Sequence, residues 1–323
     1  MSLKIFKNLY SRNLARLGLA SFLALLLAAC NSGSSGGPGI GHLSLGITDA
    51  PVDGAEKVVV QFTGVEIQPA NGPRITIDYD SPKTIDLLAL QGGLRDTLLN
   101  GAVLDAGKYS WIRLKVNAVA DGVLDSYIQI NGAQYELNIP SGAQTGLKLN
   151  TPFTVADGDN LDFTIDFNLR QSVHQPDGHQ YMGVPVYYLR PTLRLVDTKE
   201  TGVISGQIDP AVFSELSCSN NTAGYAVYLF KGDVTPDDID SVEPDPVTTA
   251  LATLNSSSQY VYKLSFLQPG DYTIAATCAA DVDQPDVDDD IPNVVNDVPF
   301  VGQDMVSVTA GATTQHNFVP LVP

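Results

Sequence analysis

The sequence LDFTIDFNLR, residues 161–170, alternates apolar and polar side chains without interruption. In an extended strand, successive side chains point to opposite faces, so the five apolar residues share one face and the five polar residues the other. The apolar face is Leu161, Phe163, Ile165, Phe167 and Leu169, and the polar face is Asp162, Thr164, Asp166, Asn168 and Arg170. This period of two predicts a β-strand with one face in a hydrophobic core.

Strand patterns continue on both sides of this segment. Residues 109–116 alternate in the same way, and Asn131-Gly132 between residues 127–130 and 134–139 predicts a type I′ hairpin. The leucine-rich residues 85–99 are interrupted by Gly92-Gly93, which predicts one or two short helical turns. Further candidate strands follow at residues 203–208, 225–230, 260–266, 272–277, 305–308 and 313–319.

These patterns predict an all-β protein with two consecutive antiparallel β-sandwich domains. The first is expected at residues 42–198, with one or two short helical turns, and the second at residues 202–323. The chain of 323 residues is long enough for two such domains.

The charge of the chain is strongly acidic and unevenly distributed. The formal net charge is −18, and residues 202–323 contain two basic and seventeen acidic side chains. A surface of this charge repels phosphate backbones, so nucleic acid is not an expected partner.

The first thirty residues have the pattern of an export signal. Lys4, Lys7, Arg12 and Arg16 precede an apolar run that ends at Cys30. Residues 1–29 are therefore predicted to be a signal peptide, too short to span a bilayer, and residues 30–41 a Gly/Ser tether. An ordinary signal peptide with an incidental cysteine is the alternative.

The residues 27–30, Leu-Ala-Ala-Cys, resemble the lipobox of bacterial lipoproteins. This resemblance implies that Cys30 carries lipid after cleavage, and that the chain is anchored in a membrane of the cell envelope. Asn31 after the cysteine favours the outer membrane, as a periplasmic or surface-facing lipoprotein. Several acyl chains give stable anchoring because each buried CH₂ contributes about 0.8 kcal/mol.

The other two cysteines, Cys218 and Cys278, are expected to form a disulfide in an oxidising compartment. Closing this loop would stabilise the folded state by about 4 kcal/mol on the chain-entropy model. Two buried free thiols are the alternative.

The segment DVDQPDVDDD, residues 281–290, is the most acidic in the chain. Ca²⁺ prefers six to eight oxygen ligands, so a loose calcium site is one interpretation. The ligands would be Asp281, Asp283, Asp286, Asp288 and Asp290. The spacing is not that of an EF-hand, because Ile291 and Asp297 stand where a glycine and a glutamate are required. A solvated acidic loop is the competing interpretation.

Five segments together resemble a domain of unknown function found in bacterial lipoproteins. They are residues 41–68, which contain ITDAPVD, and residues 85–93, 106–116, 139–149 and 162–173. Family members tend to have Asp-Phe-Asp at residues 166–168, so Asn168 weakens any role in cation binding implied by the resemblance. Residues 204–208 and 266–276 are similar to transthyretin-like or carboxypeptidase-regulatory-like modules, which implies Ig-like or transthyretin-like sandwiches and a spacer or binding role.

Two functions remain open from the sequence. The first is a non-enzymatic, lipid-anchored module that binds an extracellular or periplasmic protein or glycan, with Ca²⁺ as a stabilising ion. The alternative is a carbohydrate-active enzyme or other hydrolase with a site assembled from distant loops. Such an enzyme would need a pocket with convergent catalytic groups, and the sequence contains no GxSxG or P-loop motif.

Two further sets of side chains have both a structural and a functional interpretation. Arg113 and Asp166 could form an ion pair across the sheet, which is structural by default. Five aromatic residues could form a sugar-binding platform, with ordinary cross-strand packing as the competing interpretation. These are Trp111, Tyr127, Tyr135, Tyr187 and Tyr188.

Overall fold

The fold was obtained as a computed structural model. It describes residues 39–50, 54–118, 121–140, 146–174, 180–181, 183–190, 192–214, 216, 224–240, 242–285 and 298–320. Gly39–Pro323 form one compact unit. Below, the N-terminal half means residues 39–200 and the C-terminal half residues 201–320.

The N-terminal half contains two main sheets, here sheet I and sheet II. Sheet I has the strand order β15-β10-β1-β4. Its strands are β1 (Ile40–Ala50), β4 (Asp96–Asp105), β10 (Asn160–Asn168) and β15 (Leu193–Asp197). The alternating segment predicted from the sequence is therefore a central strand of this sheet up to Asn168, whereas its last two residues belong to the α-helix Leu169–Ser172.

Sheet II follows the order β11-β14-β7-β6-β2-β5-β8, with β3 paired to β2 and β9 paired to β5. Its strands are β2 (Lys57–Pro69), β3 (Ile75–Asp86), β5 (Gly107–Asn117), β6 (Tyr127–Ile130), β7 (Ala133–Asn138), β8 (Leu147–Leu149), β9 (Phe153–Val155), β11 (Val173–His174) and β14 (Tyr187–Leu189). A separate pair is formed by β12 (Gln180–Tyr181) and β13 (Val184–Pro185). Asn131 and Gly132 both have positive φ angles, so the predicted turn chemistry of the β6–β7 hairpin is confirmed.

The C-terminal half contains two four-stranded sheets. One has the order β19-β20-β16-β23 and the other β18-β17-β21-β22. The strands are β16 (Gly202–Ile208), β17 (Ala226–Lys231), β18 (Thr248–Leu251), β19 (Thr253–Leu254), β20 (Tyr260–Leu267), β21 (Gly270–Thr277), β22 (Phe300–Val308) and β23 (Thr313–Gln315). The predicted all-β class is therefore confirmed.

The helical segments of the described residues are short. They are 3-10 helices at Leu87–Gly93, Thr198–Glu200 and Pro210–Phe213, and an α-helix at Leu169–Ser172, here α1. The first has non-helical backbone angles from Leu90 to Gly92, so the glycines interrupt it as the sequence predicts. Among the described residues, no helix has the length and apolar character needed to cross a bilayer.

Not all strand pairs are antiparallel. β1 pairs with β10 in parallel, with Thr48 opposite Asp166, and β7–β14 and β16–β23 are also parallel. The alternating pattern alone is the same for both directions, which is why the sequence did not distinguish them.

Among the described residues, three clusters of apolar side chains form the core. One lies in the N-terminal half and includes Leu45, Phe62 and Phe167. Two lie in the C-terminal half on opposite faces of β17: Val227 belongs to one and Tyr228 to the other. Strand β17 is therefore buried on both faces.

The polar face of β10 is also buried, which its alternation did not predict. Arg95 lies across β1 and donates hydrogen bonds to the Asp162 carboxylate and to the carbonyl oxygen of Phe163, at 2.5 and 2.8 Å. Gly46 makes room for it, because a Cβ atom at this position would lie 1.7 Å from Arg95 Nε. Glycine is thus needed on β1 for close approach of the guanidinium.

Candidate functional site

The carboxyl-terminal ends of β1 and β10 lie side by side because the two strands are parallel. Thr48 is the register partner of Asp166, and Ala50 that of Asn168. Segments that are more than a hundred positions apart in the sequence are therefore neighbours at one end of the two central strands of sheet I. Both belong to the stretches that carry the family resemblance.

Asp166 is buried near this end of β10 and pairs with Arg194 of β15, whose Nε donates a hydrogen bond to Oδ2 at 3.0 Å. Burial raises the pKa of the Asp166 carboxyl, while Arg194 acts in the opposite direction. The ion pair of Asp166 with Arg113 considered from the sequence is wrong. Arg113 instead donates to Glu66 at 3.0 Å, on sheet II.

Thr48 connects β1 to the helical turn at Leu87–Gly93. Its hydroxyl lies 3.1 Å from the carbonyl oxygen of Leu90 and 2.7 Å from that of Leu94. Gly93 has a φ angle of 89°, and a Cβ atom there would lie 2.6 Å from Ser265 Oγ on β20. Glycine at position 93 therefore allows the turn to lie directly against the C-terminal half.

Arg170 joins the two halves from α1. Its side chain is 2% exposed, and Nη1 donates a hydrogen bond of 2.5 Å to the carbonyl oxygen of Ala280. The guanidinium also lies 5.5 Å from the centre of the Tyr228 ring, within the range of a cation–π interaction. Next to it, Gln171 Nε2 donates to the carbonyl oxygen of Pro246 at 3.2 Å. The contact between the halves is therefore specific and polar.

A cavity of about 320 Å³ lies where the end of β1, the helical turn, β18 and β20 meet. Its lining combines carboxylate, hydroxyl and backbone groups of the N-terminal half with polar and apolar side chains of the C-terminal half. The residues most relevant to its chemistry are Thr48, Asp49, Gly93, Asp166, Ser265 and Phe266. Cavities of roughly 300–1,000 Å³ with a few convergent polar groups are typical ligand sites.

Two lining residues of β20 have unusual local structure. Ser265 Oγ is buried, and no hydrogen-bond partner is found for it in the part of the chain that the structure describes. Phe266 has a φ angle of 55°, in the left-handed region that bulky residues rarely adopt. Strained backbone of this kind costs about 1–3 kcal/mol and is concentrated at functional sites.

The predicted metal ligands are only partly described. Asp283 Oδ2 accepts a hydrogen bond from the Tyr228 hydroxyl at 2.5 Å, and Oδ1 accepts one from the Ile239 amide at 3.2 Å. Asp281 lies beside Gly224, where a Cβ atom would be 2.3 Å from its Oδ1. Asp286, Asp288 and Asp290 lie outside the described residues.

Within the described ranges, no group of three or more His, Cys, Asp or Glu side chains could hold a metal ion. The calcium site therefore stays a prediction.

The predicted lipidation and disulfide sites also reach beyond the described residues. Cys278 is buried and disulfide-bonded. Cys218, the partner predicted for it, and Cys30, the predicted lipid-bearing residue, lie outside the described residues. The pairing and the lipid anchor both stay predictions.

The aromatic residues considered as a platform have other contacts. Arg113 and Lys148 each place their charge 4.8 Å from the centre of the Trp111 ring, and Tyr135 packs against Tyr187 at 5.4 Å. None of the five residues lines the cavity described above. The sequence did not identify Ser265 and Phe266 as site residues, although their neighbours Gly92 and Gly93 lie in a stretch that it singled out.

Residues 40–185 match a family described as Domain of unknown function (DUF4382). This match covers β1 to β13, and with them the Thr48, Asp49, Gly93 and Asp166 part of the cavity. No curated protein matches the sequence.

Similar solved structures include a leucine-rich repeat protein from Bacteroides thetaiotaomicron, with 10% identity and a TM-score of 0.20 over 87% of this chain. The chain spans only 26% of that protein. The minor pilin GBS52 of Streptococcus agalactiae has 12% identity, a TM-score of 0.18 and coverage of 87% of this chain and 98% of the pilin. The major pilin subunit BcpA of Bacillus cereus has 11% identity, a TM-score of 0.18 and coverage of 86% and 98%. At TM-scores this low, no functional conclusion follows from these structures.

Proposed function

We propose that this protein is a non-enzymatic binding module of the cell envelope, tethered by lipid on Cys30, and that the cavity between its halves is the binding site. The observation that carries the proposal is the convergence of three separate segments on one cavity. They are Thr48-Asp49 at the end of β1, Gly92-Gly93 in the helical turn, and Ser265-Phe266 on β20.

The construction of the cavity supports binding by a preformed site. Its polar groups lie on strands and on a turn that hydrogen bonds anchor to β1. Arg170 holds the halves together beside it through a buried hydrogen bond to Ala280. A ligand then loses less free energy to ordering of the protein than it would on mobile loops.

The location predicted from the sequence, the cell envelope, supports a ligand that is found there, either protein or glycan. A basic N-terminus, an apolar run, Cys30 and the Gly/Ser tether of residues 30–41 are together typical of an exported, lipid-anchored chain. The short tether would keep the folded part near the membrane surface.

The anchor is tested by metabolic labelling with palmitate in a bacterial host. The full chain is expected to be labelled and to fractionate with membranes, whereas Cys30→Ser is expected to lose the label. A parent protein that stays unlabelled would overturn this part of the proposal.

Binding is tested by retention of purified peptidoglycan and of outer-membrane fragments on the full chain. Ser265→Trp places a large ring in the cavity and is expected to abolish retention. Ser257→Trp is the matched control, because Ser257 is exposed in the turn before β20. Equal retention by parent and Ser265→Trp would show that the cavity is not the binding site.

A hydrolase is the second candidate, because Asp49 and Asp166 bring two buried carboxylates to one cavity. Glycoside hydrolases use such pairs. Fluorogenic glycosides distinguish the two candidates: a binding module leaves them intact. Turnover by the parent that is lost in both Asp49→Asn and Asp166→Asn would favour the hydrolase.

A further inference from the structure

We infer that the ligand of the cavity between the halves is a neutral, hydroxyl-rich ring, the terminal sugar of a glycan. This inference rests on the proposed function, since it names the ligand class for the same site. It is carried by the chemistry of Ser265, Phe266 and the two carboxylates, and by the size of the cavity.

Ser265 supplies a buried hydroxyl for which the described residues offer no hydrogen-bond partner. Its Oγ atom is also shielded from solvent. A buried polar group without a partner costs about 1–3 kcal/mol, so such groups are normally paired. A serine hydroxyl both donates and accepts, as a sugar hydroxyl does, and the two can therefore satisfy each other.

Phe266 supplies an aromatic surface next to this hydroxyl. Its φ angle of 55° is unfavourable for a bulky side chain, so the surrounding structure must hold the residue there. A sugar ring has an apolar face of C–H groups and an edge of hydroxyls. A cavity lined by Phe266 and by the oxygen atoms of Thr48, Asp49 and Ser265 offers partners for both parts of such a ring.

The charge of the lining selects against acidic sugars. Asp49 and Asp166 both line the cavity, and Lys263 is the one basic side chain among its described lining residues. Carboxylates accept hydrogen bonds from hydroxyl groups. Because Arg194 compensates the charge of Asp166, a carboxylate on the ligand would be repelled mainly by Asp49 and by the net charge of −18 on the chain.

The size of the cavity favours a single ring. Its volume of about 320 Å³ is at the lower end of the range for ligand sites. A cavity of this volume holds one ring, which is why we infer the terminal sugar and not several consecutive sugars of a polysaccharide.

The test is calorimetry of the full chain with D-glucose, D-galactose, D-mannose and N-acetyl-D-glucosamine. At least one neutral sugar is expected to bind, and D-glucuronic acid is expected to bind at least about tenfold more weakly than D-glucose. Ser265→Ala is expected to weaken sugar binding about tenfold with no loss of melting temperature, since it removes a hydroxyl that has no partner among the described residues. Ser257→Ala should leave the affinity unchanged.

Phe266→Leu provides a second variant, which removes the aromatic surface and is also expected to weaken binding. Absence of binding by all four neutral sugars, or affinity that neither variant changes, would overturn the inference. Cavity-dependent retention of envelope fragments without sugar binding would refute the sugar and leave the proposed function standing. Sugar binding that Ser265→Ala weakens, without retention of envelope fragments, would support the sugar as a ligand of the cavity and refute the proposed binding of envelope fragments.

Discussion

Arg170 of the N-terminal half donates a hydrogen bond of 2.5 Å to the carbonyl oxygen of Ala280 in the C-terminal half. The next residue, Asp281, begins the acidic segment singled out in the sequence. A cation of one half therefore holds the backbone of the other at the start of its most negative stretch.

Replacing Arg170 tests this connection. Arg170→Met is expected to lower the free energy of unfolding by about 2–3 kcal/mol, because a buried charge-assisted hydrogen bond is lost. Chemical denaturation measures the change. Arg190→Met is the control, since Arg190 is exposed and a surface substitution is expected to stay within about 0.5 kcal/mol. Equal stabilities of the two variants would contradict the role given to Arg170.

Gly46→Ala tests the passage of Arg95 across β1. The added Cβ atom would lie 1.7 Å from Arg95 Nε, so the guanidinium must move away from Asp162. Overpacking of this kind is expected to cost about 1–3 kcal/mol in thermal or chemical unfolding. Gly107→Ala on β5 is the matched control, because nothing lies within 4 Å of its added Cβ atom.

Asp166 predicts a pH dependence of stability. Burial raises the pKa of its carboxyl above the ordinary value of 3.8, so the folded state holds the proton more tightly than the unfolded state. The free energy of unfolding is therefore expected to fall as the pH rises through the interval between the ordinary and the raised pKa. Denaturation from pH 4 upwards should show this fall in the parent.

Asp166→Asn lacks this titration, so the difference in stability between parent and variant should change across the same pH interval. A difference that stays constant with pH would show that the Asp166 carboxyl has the same pKa in the folded and the unfolded state.

Removing the disulfide tests the predicted pairing of Cys278 with Cys218. The double variant Cys218→Ser and Cys278→Ser is expected to lose about 4 kcal/mol, because the unfolded chain gains the freedom of an open loop. The measurement is denaturation with and without dithiothreitol. Reductant should bring the parent to the stability of the double variant and leave the variant unchanged; a parent insensitive to reductant would argue against the bond.

Calcium binding by the acidic segment predicts a rise in melting temperature when Ca²⁺ is added. The triple variant Asp286→Asn, Asp288→Asn and Asp290→Asn is expected to lose this rise. The control variant Asp80→Asn, at an exposed residue of β3, is expected to keep it. A melting temperature that is indifferent to both Ca²⁺ and EDTA would favour the solvated acidic loop.

Much of the fold was predictable because local patterns determine it. The alternation of residues 161–170 predicts β10, and Asn131-Gly132 predicts the β6–β7 hairpin, whose positive φ angles suit these residues. The parallel pairing of β1 with β10 was not predictable. Period-two alternation contains no information on strand direction, and the covering of the Asp162 face by Arg95 depends on a residue far away in the sequence.

The site was predictable only in part. Thr48 and Asp49 lie in a stretch noticed for its resemblance to a family, but that resemblance did not indicate a cavity. Ser265 and Phe266 lie in a strand pattern that reads as ordinary core. The positive φ angle of Phe266 lies where the register of β20 on β16 is irregular, and the Ser265 hydroxyl is close to Gly93 of the other half; a period-two pattern indicates neither.

The parallel register of β1 and β10 has a consequence for the order of folding. Residue 48 leaves the ribosome well before residue 166, its register partner. During synthesis, β1 must therefore remain with one edge open, and open edges promote wrong pairing. Contacts of such large sequence separation also slow folding. Strand β1 is thus completed late, and we expect dilution from denaturant to show a slow phase that reports this pairing.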